Sequence, residues 1–190
     1  MRRETFLVPV TFLVMATQNP IESEGTYPLP EAQVDRFMLK ILIGYPEHDE
    51  ELTIVERQLV APPDLREALT LEELKALQRA VFEIYVDPAL ISYAVNLATA
   101  TREASEYIAY GASPRGPIHL VQAARALSLI RGREYALPED LQALAKDALR
   151  HRLVLTYQAL AEEVTPDALL DDLIATVPVP QIDLTRVSAA

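Results

Sequence analysis

Two uninterrupted apolar runs near the start of the chain limit its possible folds more than any other feature. They occupy residues 12–17 and 37–43, and each is closed by turn-forming residues. A run without polar alternation is typical of a strand buried on both faces, as in a parallel sheet covered by helices. Residues 18–36 separate the runs, which is long enough for the crossover between parallel strands and too long for a hairpin. We therefore expect part of a parallel αβα sheet here.

From residue 46 onward, capping and turn signals predict a series of helices. Thr70 and Glu73 fit a capping box, in which each side chain bonds the backbone of the other residue. Asp87 before Pro88 fits an N-cap followed by the first helical residue. Gly132 fits the left-handed position that ends the preceding helix. The chain is therefore predicted to be α/β at its start and all-α afterwards.

Three further helices are predicted from local signals. Residues 31–36 form a short helical segment between the two apolar runs. Pro138 begins a helix that extends to about residue 154, although Leu137 has no side-chain oxygen with which to cap it. Pro166 begins the last helix, and the final residues are expected to form a tail.

The composition excludes several kinds of functional site. The chain has 28 acidic and 17 basic residues and a formal net charge of −11, so its surface repels nucleic-acid phosphates and anionic membranes. It has no cysteine, which excludes disulfides, thiolate zinc sites and cysteine nucleophiles. No apolar run reaches the roughly 18 residues that a membrane span needs. The basic start continues into strand-like sequence without a cleavage site, so we expect a cytoplasmic protein.

The sequence contains none of the glycine-rich loops or nucleophile motifs of a self-sufficient enzyme. His48, His119 and His151 are scattered without metal-ligand spacing, so we expect no metal site and assign all three a structural or surface role. His151 lies near a predicted helix end, where a cationic ring would interact well with the helix dipole.

Three polar residues stand where a ligand could reach them. Asn19 follows the first apolar run, at the sheet edge where open α/β folds bind ligands, or it only forms a turn before Pro20. Arg36 precedes the second run, and a local ion pair with Asp35 is its alternative role. Arg115 lies at a helix start in a loop of small residues, and its alternative is a plain surface arginine. The residues alone leave both kinds of role open.

Three segments carry a resemblance to a known family. Residues 16–37, ATQNPIESEGTYPLPEAQVDRF, closely resemble the hallmark segment of MoxR-family AAA+ ATPases. Residues 111–115, GASPR, resemble the lid motif of that family, and residues 149–153, LRHRL, resemble the motif that follows it. The resemblance extends over residues 10–180.

This resemblance implies a parallel-sheet αβα core followed by an α-helical lid domain. It also implies ATP hydrolysis, with Mg²⁺, coupled to chaperone-like remodelling or maturation of partner proteins. Family members form hexameric rings, often with partners that contain a von Willebrand factor A domain. The resulting division of the chain is residues 1–45 as the C-terminal part of the core, 46–86 as a linker and connecting helix, 87–180 as the lid and 181–190 as a tail.

The resemblance also implies roles for the three polar residues. Asn19 matches the sensor 1 asparagine, Arg36 the arginine finger, and Arg115 the sensor 2 arginine. An amide that orients water and two guanidinium groups that neutralise phosphate charge suit phosphoryl transfer. Whether Arg115 acts on the nucleotide of its own subunit or of a neighbour stays open.

The sequence departs from the family pattern in two ways. It shows no Walker A loop and no Walker B acids, so we expect that the chain alone neither binds ATP tightly nor hydrolyses it. Gly116 and Pro117 replace the more usual small residues after the sensor 2 arginine, which we expect to alter that helix start. Two other classes of function stay open: a non-catalytic module that binds ring subunits or partners, and a nucleic-acid remodeller, which the acidic charge disfavours.

Overall fold

The computed structural model describes residues 8–9, 11–18, 29–103 and 105–182. None of the helices in these residues is long and apolar enough to cross a membrane. The region expected to hold one connecting helix, residues 46–86, holds two. The elements in chain order are α1 (Glu31–Val34), α2 (His48–Gln58), α3 (Leu71–Glu83), α4 (Pro88–Ala100), β1 (Ile108–Tyr110), α5 (Arg115–Ile130), α6 (Pro138–Leu149), a 3₁₀ turn (Arg150–Arg152), β2 (Val154–Leu155), α7 (Tyr157–Ala161) and α8 (Pro166–Thr176).

The second half of the chain is a helical bundle around one apolar core. Helices α4, α5, α6 and α8 supply that core, and α3 packs against α5 from outside. Helix α4 places Leu90, Ala94 and Leu97 on one buried face at spacings of three and four residues. The large apolar side chains that are fully buried in this core are Leu90, Tyr93, Leu97, Leu120, Leu141, Leu149 and Leu170.

The helix ends follow the local sequence signals. Thr70 and Glu73 form the predicted capping box, with Glu73 N–H donating to Thr70 Oγ1 at 3.2 Å. The Asp87 carboxylate accepts from the Ala89 N–H at 2.8 Å. Gly132 has a φ of +70°, the left-handed conformation that suits glycine. All three predictions are confirmed. The sequence could predict these helix ends because each depends only on residues a few positions apart.

The start of α6 is capped by a residue inside the helix. Leu137 has no side-chain oxygen, as expected, but the Asp140 carboxylate accepts from the Leu137 N–H at 2.9 Å. The same carboxylate is fully buried and also accepts from Ser128, Arg131 and Arg133. Burial raises the pKa of Asp140, but the Arg133 side chain and the other donors outweigh it and hold that pKa below its usual value.

The predicted extension of this helix to residue 154 is wrong. Helix α6 ends at Leu149, a 3₁₀ turn follows, and β2 then pairs antiparallel with β1. Thr156 continues the pairing by donating its N–H to Tyr107 O at 3.0 Å. Residues 154–155 form a strand and not a helical turn because β1, far away in sequence, provides a backbone edge with which they pair.

The two predicted parallel strands are not formed in the described residues. Residues 12–17 and 37–43 have no strand neighbour there, and their apolar side chains are largely exposed. Part of the second run bonds the helical bundle instead: Lys40 N–H donates to Asp147 O at 2.8 Å. Leu39 packs against the bundle core.

We predict that Asp140→Asn strongly destabilises the bundle. The substitution leaves Arg131 and Arg133 without their buried anion, and breaking a buried ion pair costs about 3–5 kcal/mol. Urea denaturation of the protein measures the loss. Asp171→Asn is the matched control, because Asp171 forms an exposed ion pair with Lys146, and such pairs contribute about 0–1 kcal/mol. Equal losses in the two variants would contradict the prediction.

Candidate functional site

The lid motif and the LRHRL motif meet at one carboxylate, that of Asp35. Asp35 follows helix α1 directly, and its side chain is only 15% exposed. It accepts hydrogen bonds from Ser113 Oγ at 2.8 Å, from Arg115 Nη1 at 2.9 Å and from Arg152 Nε at 3.1 Å. We call this group the Asp35 cluster; its members are Asp35, Ser113, Arg115, His119, His151 and Arg152.

The Asp35 cluster keeps its central carboxylate ionised. Burial raises the pKa of Asp35, but hydrogen bonds from Arg115 and Ser113 and the charge of Arg152 together hold it below its usual value. Two guanidinium groups therefore share one anion, although one comes from the start of α5 and the other from the 3₁₀ turn after α6.

Arg152 is the buried member of the Asp35 cluster. Its side chain is 0% exposed. Besides the Asp35 carboxylate, it donates to the Asp35 carbonyl at 3.1 Å and to the Phe37 carbonyl at 2.6 Å. It also bonds Ala148 O in the preceding turn. One guanidinium thus joins the LRHRL motif to the backbone of residues 35–37.

The surroundings of the two histidines of the cluster favour the neutral form of each ring. His151 Nε2 lies 3.1 Å from Phe37 O and 2.6 Å from Arg152 Nη1. Burial and the adjacent Arg152 charge lower the pKa of His151 to about 4. The same two causes lower the pKa of His119. The structural role assigned to these residues agrees with the structure, but the expectation of a cationic His151 at a helix end is wrong because the ring faces Arg152.

Close packing fixes the GASPR loop that carries Ser113 and Arg115. Ala112 N–H donates to Thr101 Oγ1 at 2.9 Å, at the end of α4. A Cβ on Gly111 would lie 2.3 Å from the Thr101 carbonyl oxygen, so only glycine fits there. A Cβ on Gly116 would lie 2.9 Å from Leu149 Cδ2. The glycine after the arginine thus permits close packing on α6, and α5 still begins at Arg115.

Of the three site residues predicted from the sequence, only Arg115 is found in the Asp35 cluster within the described residues. Arg115 lies in the Asp35 cluster with 50% of its side chain exposed. Arg36 is exposed, and its side chain makes no hydrogen bond or ion pair with another described residue. The alternative of an Asp35–Arg36 ion pair is therefore wrong, since Asp35 bonds the two lid arginines. Asn19 lies outside the described residues.

Sequence reasoning missed Asp35 and Arg152 as members of the site. The signal was present, because Asp35 and Arg152 both belong to segments that carry the family resemblance. What was lacking was the partner: the two residues are 117 positions apart, and no local spacing relates them.

Within the Asp35 cluster, Arg115 is the exposed cation, and its guanidinium suits an anionic ligand. Arg115 presents a half-exposed guanidinium at the first position of α5, where the helix dipole adds positive potential. In the described part of the chain, no group of three or more His, Asp or Glu side chains could hold a metal ion.

Comparisons with known proteins agree with this arrangement. The model of "ATPase family associated with various cellular activities (AAA)" matches residues 1–39, and that of "AAA lid domain" matches residues 100–173. The chain is 46% identical over 187 residues to "Chaperone MoxR1" of Mycobacterium tuberculosis, which covers 94% of this chain and 50% of that protein. The chain belongs to the MoxR family of AAA+ ATPases. The expected combination of an AAA+ core end and a helical lid is confirmed.

Further relatives of this MoxR-family chain show the same pattern. It is 41% identical over 171 residues to "Uncharacterized protein YeaC" of Bacillus subtilis, covering 89% of this chain and 53% of that protein. Its fold matches a Cytophaga hutchinsonii crystal structure described as a "putative ATPase", with a TM-score of 0.87 and 34% identity over 93% of this chain and 56% of that one. The chain spans about half the length of the curated relatives it matches.

We predict that His151 makes the stability of the fold depend on pH. Its pKa is about 4 in the folded chain and about 6.5 when unfolded. The unfolded state therefore binds more protons between these values, and stability falls as the pH drops from about 6.5 towards 4. His151→Gln should flatten this part of the curve, whereas His48→Gln, at an exposed site, should not. Parallel curves for His151→Gln and the unchanged protein, from urea denaturation at each pH, would contradict the prediction.

Proposed function

We propose that this chain is the back of a MoxR-type nucleotide-binding core with its lid, and that the full-length protein hydrolyses ATP. The released energy serves chaperone-like remodelling or maturation of partner proteins. The observation that supports this most is the position of Arg115. A half-exposed guanidinium at a helix start is bonded on one side to Asp35 and is open on the other.

Arg115 is proposed as the sensor 2 residue. Its open N–H groups can make charge-assisted, bidentate bonds to phosphate oxygens. Asp35 binds only Nη1 of this guanidinium, and Arg152 still neutralises Asp35 if Arg115 turns away. A phosphate can therefore replace Asp35 as the partner of Arg115, and the Asp35 carboxylate stays paired with Arg152. This exchange of partners couples the position of the lid to the state of the nucleotide.

Arg36 is proposed as the arginine finger and Asn19 as the sensor 1 residue. Arg36 is exposed directly beside the partly buried Asp35, so it is available to a neighbouring subunit. Asn19 rests on the family motif, since it lies outside the described residues. Its proposed task is to hold the attacking water or a phosphate oxygen.

ATP and Mg²⁺ are the proposed cofactors of the full-length protein. The residues of this chain that would hold ATP are Asn19, Arg36 and Arg115, all through phosphate contacts. When bound, Mg²⁺ neutralises charge on the phosphates, and its ligands are proposed to come from the Walker motifs of the full-length protein. That the chain alone neither binds ATP tightly nor hydrolyses it stays a prediction.

A hexameric ring and partners with a von Willebrand factor A domain are proposed from the family. A finger arginine acts in trans only when subunits adjoin, so the ring and the role of Arg36 stand together. The relatives do not favour the alternative of a non-catalytic interaction module.

We predict that Arg36→Ala abolishes hydrolysis in the full-length protein while ATP affinity and melting temperature stay unchanged. A finger arginine contributes about 10³ to 10⁵ in rate because it neutralises charge in the transition state. Steady-state ATPase assays and nucleotide-binding calorimetry measure the two effects. Arg57→Ala is the control, because Arg57 is also an exposed arginine but lies on α2. This variant should hydrolyse ATP at the normal rate. Normal turnover in Arg36→Ala would remove the finger assignment.

We predict that Arg115→Ala uncouples the lid from the nucleotide. The ligand shifts the lid only through contacts that differ between two states, and Arg115 supplies such a contact. Spin labels on the exposed Gln122 of α5 and on the nucleotide-binding core of the full-length protein report their distance with an ATP analogue and with ADP. Arg115→Lys should also be impaired, because lysine lacks the planar fork. An unchanged difference in distance for Arg115→Ala would exclude Arg115 as the coupling residue.

A further inference from the structure

The LRHRL motif resembles a family segment, but the proposed function gives it no task. Its buried arginine, Arg152, contacts the residues on both sides of Arg36. We propose that Arg152 is a positioning residue for Arg36, through which the lid of one subunit sets the finger that acts on its neighbour. This inference rests on the proposed role of Arg36.

Hydrogen bonds from Arg152 hold the backbone on both sides of Arg36. Arg152 Nη2 bonds the carbonyl of Asp35 at 3.1 Å and that of Phe37 at 2.6 Å. Arg152 Nε bonds the Asp35 carboxylate at 3.1 Å. With the backbone held before and after Arg36, the direction in which its side chain leaves the backbone is fixed, while the side chain itself stays exposed.

The burial of Arg152 makes this contact durable. Its side chain is 0% exposed, whereas that of Arg115, which shares the same carboxylate, is 50% exposed. A buried charge that loses its partner is strongly unfavourable, while an exposed pair is worth little. Arg152 is therefore the permanent member of the Asp35 cluster, and Arg115 is the member that can exchange its partner.

Further contacts hold residues 35–40 against the lid. Leu39 packs against the bundle core, and Lys40 N–H donates to Asp147 O at 2.8 Å, at the end of α6. His151, next to Arg152, lies 3.1 Å from Phe37 O. A rotation of the lid therefore carries the finger with it, so that the nucleotide state sensed by one subunit changes the finger offered to the next.

Arg152→Lys in the full-length protein tests this inference. Lysine keeps the positive charge next to Asp35 but cannot bond the carboxylate and two carbonyls with one planar group. Arg133→Lys is the matched control. Arg133 is also a largely buried lid arginine, it bonds the buried Asp140 through two nitrogens, and it has no contact with residues 35–40.

We expect Arg152→Lys to lower kcat about 10²-fold, because a misplacement of about 1 Å can cost that much. ATP affinity should stay unchanged, and the melting temperature should fall no further than in Arg133→Lys. Arg36→Lys provides a finger variant with measurable residual rate. If Arg152 acts through Arg36, adding Arg152→Lys to Arg36→Lys should lower kcat no further.

Three results would overturn the inference. If Arg152→Lys turns over like Arg133→Lys while Arg36→Ala is inactive, Arg152 does not position the finger, and the proposed function still stands. If Arg152→Lys lowers kcat by the same factor in both backgrounds, it acts independently of Arg36. If Arg36→Ala turns over normally, the finger assignment fails, and the role of Arg152 fails with it.

A second variant tests the same link while Arg152 itself stays unchanged. Asp35→Asn removes the charge that Arg152 neutralises but leaves both backbone carbonyls bonded. We expect a smaller loss in kcat, about tenfold, that again disappears in the Arg36→Lys background. A loss that persists in that background, or no loss at all, would overturn the inference as before.

Discussion

The ion pair between Asp35 and Arg152 determines how the two regions of this chain meet. It joins residues 117 positions apart, and its guanidinium is fully buried. A buried guanidinium needs an anion and further acceptors, and the Asp35 carboxylate with the Asp35 and Phe37 carbonyls supplies them. Residues 35–40 therefore cross the lid where the Arg152 guanidinium can reach its anion and its hydrogen-bond acceptors.

The carboxylate of Asp140 is fully buried, whereas that of Asp35 is 15% exposed, and the partners of the two carboxylates differ. All the side-chain partners of Asp140 lie within 12 positions in sequence, so it stabilises the lid from within. Asp35 instead takes its partners from two lid motifs and links them to the end of the core. The same physical requirement, a buried anion with enough donors, thus builds the lid in one place and attaches it in the other.

Local signals predicted the parts of the fold that local interactions determine. The capping box at Thr70, the cap at Asp87 and the left-handed Gly132 all depend on neighbours within one helical turn. The run at residues 37–43 was predicted as a strand, since an apolar pattern does not show which backbone will pair with it. Of the site, Arg115 was found by its motif, but its partner Asp35 could not be, because only the fold brings them together.

One carboxylate shared by two arginines of different burial separates a lasting contact from an exchangeable one. If Arg115 leaves, Asp35 remains paired with Arg152, so the loss is that of a half-exposed ion pair, about 0–1 kcal/mol. If Arg152 leaves, a buried guanidinium loses its anion, which costs about 3–5 kcal/mol. A phosphate bound as we propose would therefore compete for Arg115 against a weak contact, while the link between core and lid persists. In the proposed function, the lid responds to a ligand at Arg115 because Arg152 keeps the lid attached to Asp35.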